Sequence, residues 1–451
     1  MQTTSGLLTL LFLGAAVRLG LAWFHPSDMM LDSDGYLAHA EMVANGEGFA
    51  GPYTHRPTAF RPPAYPIALA GLRLTGLSAS ACVGVINGVC SLSIIWLTWV
   101  LSRQLQLPPL SAFFATAITA FDPLLIRYAI LPMTEVPAAA MLLAAIVALT
   151  AGKRRSEILN NGVWRFDILA GILFGLGSLV RPILLVSCAL LVLWRLMVDA
   201  KYSLRSFRLV AITMLPMIFA VLTLSPWIIR NAVQFGKFIP ATTHGGYTLA
   251  LGNNPDFYRD VINSHVGFPW KGPQLDAWQQ RMVAESAAQG VPVDSEPAQD
   301  GWYYRQAVAS IKAQPLSFLN ACLLRLRRFW AITPGTDVGL PRLAILLVAV
   351  WYSGIGIGLV VGLGSSVVVG FKLLRSQLSH GCKAKSGLAE LWLVVFSFML
   401  MHSVYWTDAR MRAPVLPLIC ILATFGWNAI IKFVVRIVSS RSPDDAGEIP
   451  T

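Results

Sequence analysis

Residues 343–371 read LAILLVAVWYSGIGIGLVVGLGSSVVVGF, without one charged side chain. A helix needs about 20 apolar residues to cross a bilayer, because each adds about 1.5 Å against a hydrocarbon core of about 30 Å. Outward from this run the same signature recurs. Residues 81–101, 209–229 and 413–431 are likewise free of charge. Of 451 residues, 55% are apolar and 13% charged, where a soluble domain carries roughly 25% charge. Mean hydropathy is +0.60. This composition excludes an ordinary soluble globule and, more firmly still, a disordered chain. The expected fold class is an all-α polytopic membrane protein of about ten transmembrane helices.

The expected helices cover 7–24, 81–101, 108–126, 135–151, 167–180, 182–198, 209–228, 343–370, 388–406 and 414–435. Two outward loops, 25–80 and 229–341, carry juxtamembrane helices. The transmembrane unit is then 1–438, and the polar tail 439–451, with Pro443, Asp444 and Asp445, is expected to be disordered and cytoplasmic. The N-terminal apolar run has no positive leader and reads as a helix, not a cleaved signal.

The net charge of +12 would suggest nucleic acid in a soluble protein. Here its placement argues against a nucleic-acid partner. Lys153, Arg154, Arg155, Lys201, Arg205, Arg208, Lys372, Arg375, Lys383, Lys385, Lys432, Arg436 and Arg441 all fall on one expected side. The short turns of the other side hold Arg127, Arg181, Arg410 and Arg412. By the positive-inside rule the basic side, with both termini, is cytoplasmic. A multi-pass protein of a bacterial inner membrane with a periplasmic working face is the expectation.

Several features have ordinary readings. The six cysteines are scattered, and neither CxxC nor HExxH occurs. Gly354, Gly356 and Gly358 form a GxGxG inside an apolar helix, and Gly354, Gly358 and Gly362 recur every four residues, which points to close helix packing. Gly171 and Gly175 read the same way. His39, His244, His265 and His402 show no ligand spacing and are read as non-catalytic. Residues 323–330, LLRLRRFW, suit an interfacial helix on the outer leaflet.

Charge near a bilayer is costly, so it is informative where it persists. Asp32 and Asp34 open a short amphipathic helix at Tyr36. Either could be an N-cap, but one residue suffices for that. Arg61 precedes Pro62-Pro63, which hold it rigidly. Arg127 and Glu135 flank one turn, Arg181 precedes Pro182, Arg230-Asn231 follow Pro226-Trp227, and Arg410 and Arg412 precede Pro414. Acids from one loop and arginines from several helices thus share a face. Arginine grips phosphate with a planar fork, and a carboxylate can take a proton from an attacking hydroxyl. A sugar on a lipid phosphate has a stable anionic leaving group, so one base and several arginines suffice, with inversion expected.

These residues carry a resemblance. The chain is similar to GT-C glycosyltransferases, of the branch holding bacterial lipid A aminoarabinose transferases and protein O-mannosyltransferases. Asp32 lies four residues before Tyr36, Arg61 precedes two prolines, and Glu135 opens the fourth helix. Pro226-Trp227 with Arg230-Asn231, Gly252-Asn253-Asn254-Pro255, and Arg410-Met411-Arg412 follow in the family's order, the last with Met in place of Tyr. The resemblance implies a polyprenyl-phosphate sugar donor and a lipid, glycan or protein acceptor, selected by the outer loops. It implies Asp32 as general base and Arg61 on the donor phosphate. Asp34 joins the catalytic set, and Arg410, Arg412 and Arg127 the phosphate set. Tyr36, Glu135, Arg230 and Asn231 complete the site. Some relatives use a divalent metal, which Asp32 and Asp34 could hold here. The rival reading is a transporter or flippase of an anionic lipid or lipid-linked sugar. It calls for inverted repeats and polar groups at the bilayer midplane, and the sequence shows no repeat.

Overall fold

The computed structural model describes residues 2–159, 164–198, 207–264, 270–334, 339–377 and 387–439. The polar tail from 440, with His265, Lys201, Arg205, Lys383 and Lys385, lies outside the described residues. The chain opens with α1 (Gln2–Phe24), and its first long loop carries α2 (Tyr36–Ala44) and α3 (Ala64–Arg73). Next come α4 (Ala79–Gln104), α5 (Pro109–Ala120), α6 (Pro123–Tyr128), α7 (Glu135–Leu159), α8 (Trp164–Val180), α9 (Ile183–Val198) and α10 (Phe207–Phe235). The second long segment carries α11 (Gly245–Gly252), α12 (Pro273–Ala288), α13 (Glu296–Ala313) and α14 (Pro315–Phe329). The bundle ends with α15 (Arg342–Gln377), α16 (Gly387–Val404) and α17 (Leu416–Ser439). Among the described residues there is no strand, only an isolated bridge between Ala50 and Pro57.

The all-α membrane reading holds. Every expected span has a helix at its place, and 7 helices among the described residues are long and apolar enough to cross a membrane. Pro109–Ala120 and Ile183–Val198 are shorter apolar helices. The expected helix at 108–126 is broken, and the break has a local cause. Asp122 accepts hydrogen bonds from the amides of Leu124 (2.9 Å) and Leu125 (3.1 Å). It thereby caps a new helix whose first residue, Pro123, cannot donate.

α7 is the most enclosed of the long helices. Its alanine-rich stretch, Ala138–Ala140 and Ala145–Ala148 among it, lets α4 and α8 approach closely. Glycines do the same elsewhere. A Cβ on Gly426 of α17 would fall 1.8 Å from the Gly358 carbonyl oxygen of α15, and one on Gly362 would fall 2.6 Å from that of Leu422. These two helices touch backbone to backbone. Gly171 and Gly175 meet α10 similarly, at Pro216 and Ala220. Gly354 departs from the expected pattern, for a Cβ there meets nothing within 4 Å.

α13 and α14 meet at a bend of 108°, where Gln314-Pro315 breaks the helical ladder. α14 buries Ala321, Arg325 and Phe329 while exposing Leu316, Leu319 and Leu323. Together α13 and α14 are apolar enough for a bent span, and the exposed leucine row ending in Arg327 and Arg328 is also what an interfacial helix would present.

The backbone contact gives a direct test. Gly426→Leu should force α15 and α17 apart and lower stability by about 1–3 kcal/mol, read as thermal unfolding in detergent. Gly354→Ala should stay within about 0.5 kcal/mol of wild type.

Candidate active site

The site grows from the first long loop. Gly35 has φ +76°, a left-handed conformation that a side chain resists, and it reverses the chain just before α2. The two acids before it therefore diverge. Oδ2 of Asp32 turns onto the helix and accepts from the Ala38 amide at 2.9 Å, while its Oδ1 is buried without a partner. Asp34 turns the other way, into a cavity of about 820 Å³.

Four parts of the chain wall that cavity. The first loop gives Asp34, Tyr36, Phe60 and Arg61, and the α8–α9 turn gives Arg181. The segment between α10 and α13 gives Lys237, His244 and Tyr247, with Asp300 and Tyr304 on α13. The end of α16 gives His402 and Tyr405, and the 3-10 turn Ala409–Val415 gives Arg410. One side is apolar, with Val180, Ile183, Val186 and the exposed Phe238.

Three guanidinium groups surround two carboxylates. Asp34 pairs through Oδ1 with Arg61 at 3.2 Å and through Oδ2 with Arg410 at 3.5 Å. Glu135, fully buried behind the wall, pairs with Arg181 at 2.9 Å and lies 3.9 Å from Arg410. Arg181 also donates to Thr134 Oγ1 at 3.1 Å. The guanidinium of Arg61 lies 5.7 Å over the Tyr36 ring and 5.2 Å over that of Phe60. Donors remain spare: Arg61 Nε and Arg181 Nη1 are buried without hydrogen-bond partners, whereas Arg410 Nε pairs with Asp408 at 3.4 Å. Burial alone would raise the Asp34 pKa, but Arg410, Arg61 and Arg181 outweigh it and hold the carboxyl below its ordinary 3.8. Burial, with Arg61, pushes His244 down to about 3 against the pull of Asp34, so its ring is neutral. Its buried Nδ1 has no partner.

At the other end Asp300 accepts from the Gly246 amide at 2.6 Å, and burial raises its pKa. The hydroxyls of Tyr304 and Tyr405 are 3.4 Å apart. Glu296 clasps this end to the first loop. It accepts from Thr58 Oγ1, from the Ala59 amide at 2.9 Å and from Thr243 Oγ1 at 2.8 Å.

Asp34, Tyr36, Arg61, Glu135 and Arg410 thus come together. Other residues expected at the site are placed elsewhere. Arg127 pairs with Asp28 and is half exposed, away from the cavity wall. Arg230 is a strap, donating to the carbonyls of Thr58 (2.7 Å) and Phe49 (2.8 Å), and Asn231 donates to that of Ile239 at 3.1 Å. Arg412 points away from Arg410, donating to the carbonyls of Phe329 (3.0 Å) and Ala331 (2.7 Å). Asp32 and Asp34 do not converge on one point, and among the described residues no group of three His, Cys, Asp or Glu does. Asp34 is engaged by two guanidiniums, which a metal there would have to displace. His244 and His402, read as non-catalytic from spacing, line the cavity. Arg181 had a signal, a charge before proline between two apolar runs. Lys237, His244, Asp300 and Tyr304 had none, because polar residues are ordinary in a long loop.

The fold is similar to that of solved archaeal oligosaccharyltransferase structures. Among the solved structures that it resembles are several of the oligosaccharyltransferase of the archaeon Archaeoglobus fulgidus. The apo form superposes with a TM-score of 0.53 at 11% identity, over 99% of this chain and 53% of that one. The complex of the same protein, AglB, with an inhibitory peptide and a dolichol-phosphate gives 0.53 at 12%, over 98% and 52%. The complex with Zn and sulfate gives 0.53 at 12%, over 96% and 50%. The chain spans about half the length of that protein. No protein-family model matches the sequence, and no curated protein matches it.

Two outcomes follow from the charge cluster. Arg181→Ala leaves Glu135 buried with only the distant Arg410, and should cost about 3 kcal/mol in thermal unfolding, more than Glu135→Gln. A carboxyl with a depressed pKa stabilises the fold above its ordinary value and loses that stabilisation as pH falls through its lower folded value. The stability deficit of Asp34→Asn, followed by pH-dependent unfolding, should therefore shrink as pH drops below 3.8.

Proposed function

We propose that this protein is a membrane glycosyltransferase that moves a sugar from a polyprenyl-phosphate donor to a hydroxyl-bearing acceptor at the extracytoplasmic face. One observation carries the reading. Arg61, Arg181 and Arg410 crowd a cavity with spare buried donors, beside an apolar wall at Val180, Ile183 and Phe238. A phosphate with a hydrocarbon tail matches that pairing of surfaces. The similar archaeal enzyme was solved with dolichol-phosphate, which supports a lipid-phosphate ligand.

In this reading the donor phosphate takes Arg61 and Arg410 away from Asp34. Released from two cations, that carboxylate becomes a stronger base. The acceptor hydroxyl gives its proton to Asp34, and its oxygen bonds to the anomeric carbon. The carbon–phosphate oxygen bond breaks, and polyprenyl phosphate departs into the arginine cluster, which stabilises the charge. A single displacement inverts the anomeric centre. Asp300, Tyr304 and Tyr405 offer the hydrogen bonds and ring faces a sugar needs. Asp32, implied as base by the resemblance, positions α2 through the Ala38 amide. The charges that line the cavity gather at one end of the bundle, a placement that supports transfer there over transport at the midplane. The basic segments opposite support a bacterial inner-membrane protein with cytoplasmic termini and a periplasmic cavity. The acceptor is a lipid, glycan or protein.

The test uses the full chain in proteoliposomes with polyprenyl-phosphate sugars, following donor consumption by mass spectrometry. Asp34→Asn should slow transfer about a hundredfold to ten-thousandfold. Arg61→Ala should weaken donor binding about tenfold or more while turnover changes less. Asp32→Asn keeps an acceptor for the Ala38 amide and should retain most activity; if it is dead and Asp34→Asn is active, the base is Asp32. Turnover of a nucleotide sugar without lipid would overturn the donor assignment.

A further inference from the structure

The 3-10 turn that puts Arg410 into the first cavity puts Arg412 into a second. This one is a crevice of about 360 Å³ between α15 and α17, roofed by Trp330 and Ile332. Tyr352, Gly356, Val360 and Ile419 line it further along. It has lipid-facing walls, for Val360 and Ile332 are exposed on the apolar bundle. It has room at Gly356, where a Cβ would meet nothing within 4 Å. From Tyr352 to Val360 it follows about 12 Å of helix, the reach of part of one acyl chain.

Charge sets what else it holds. Arg412 is 3% exposed and lines the crevice. Two of its contacts are carbonyls, those of Phe329 and Ala331, which carry no charge. Its guanidinium lies 4.1 Å over the Tyr352 ring, and its buried Nε has no hydrogen-bond partner. The nearest carboxylate in this network is Asp122, which accepts from the Tyr352 hydroxyl at 3.2 Å. Asp122 also lies within electrostatic reach of Arg18, a second buried guanidinium, which donates to the Ala120 carbonyl at 2.9 Å. Two buried cations therefore share one anion. An excess positive charge in apolar surroundings seeks a further anion, and Arg412 lines the crevice.

We propose that this crevice binds one anionic phospholipid of the bilayer, an acyl chain between α15 and α17 and its phosphate drawn to Arg412. No carboxylate lines this crevice, so it binds without reacting. The site stands apart from the transfer cavity, with Met411 and its turn between them.

The experiment takes the full chain in nanodiscs of equal phosphatidylglycerol and phosphatidylcholine, and counts lipids retained after mild detergent by native mass spectrometry. Wild type should keep one phosphatidylglycerol, favoured over phosphatidylcholine about tenfold because the choline cation offsets the negative charge that Arg412 attracts. A phosphatidylglycerol with a photoreactive acyl chain should label residues 352–360. Gly356→Trp fills the crevice and should abolish both retention and labelling while leaving polyprenyl-phosphate binding in the first cavity unchanged. Arg412→Gln should erase the preference between headgroups; if that variant does not fold, Gly356→Trp answers alone. Equal retention of the two lipids, labelling elsewhere, or retention unaffected by Gly356→Trp would overturn the proposal. So would displacement by equimolar polyprenyl phosphate, which would give the crevice to the donor lipid.

Discussion

A carboxylate with no water around it must be neutralised where it stands, and Glu135 is such a group. It begins the most enclosed helix of the bundle, fully buried, and α7 cannot form there without a cation beside it. Arg181 from the α8–α9 turn and Arg410 from the 3-10 turn answer it. Arg410 then reaches Asp34, and Asp34 reaches Arg61. One buried charge thus ties α7, the α8–α9 turn, the last turn before α17 and the first long loop into a single polar knot.

The fold was legible because the membrane makes composition decisive. Uncharged runs such as 343–371 are long and apolar enough to span a membrane, and several alanine- and glycine-rich faces make close contacts. The reading of 108–126 as one helix runs across Asp122-Pro123, where the structure has a cap followed by a residue that cannot donate. The glycine repeat was legible in part. Gly358 and Gly362 pack against α17, whereas Gly354 looks into open space, because a period of four drifts around a helix of 3.6 residues per turn.

The site was legible as a set of residue types and less so as a geometry. Asp32 and Asp34 differ by two positions, and the left-handed turn at Gly35 decides which one sees the cavity. Arg410 and Arg412 also differ by two, and a 3-10 turn sends them into different cavities. Arg230 and Asn231 carry the right chemistry in the right order, yet backbone carbonyls absorb their donors. Spacing records that a guanidinium is present at the membrane surface. It does not record whether a carbonyl or a carboxylate has claimed it. His244 shows the converse, for a lone histidine in a long loop has no spacing to betray it until the chain folds it against Phe60 and Tyr247.

The Glu296 clasp bears on how the molecule is made. Its carboxylate joins residues 238 positions apart along the chain, Thr58 in the first loop and α13 in the second long segment. A chain built from its N-terminus has inserted α1 to α10 before Glu296 is even synthesised. The early helices can assemble around Glu135 while the pocket above them is still missing a wall. Competence is therefore a late property of biogenesis, acquired only when the second long segment folds back over the first.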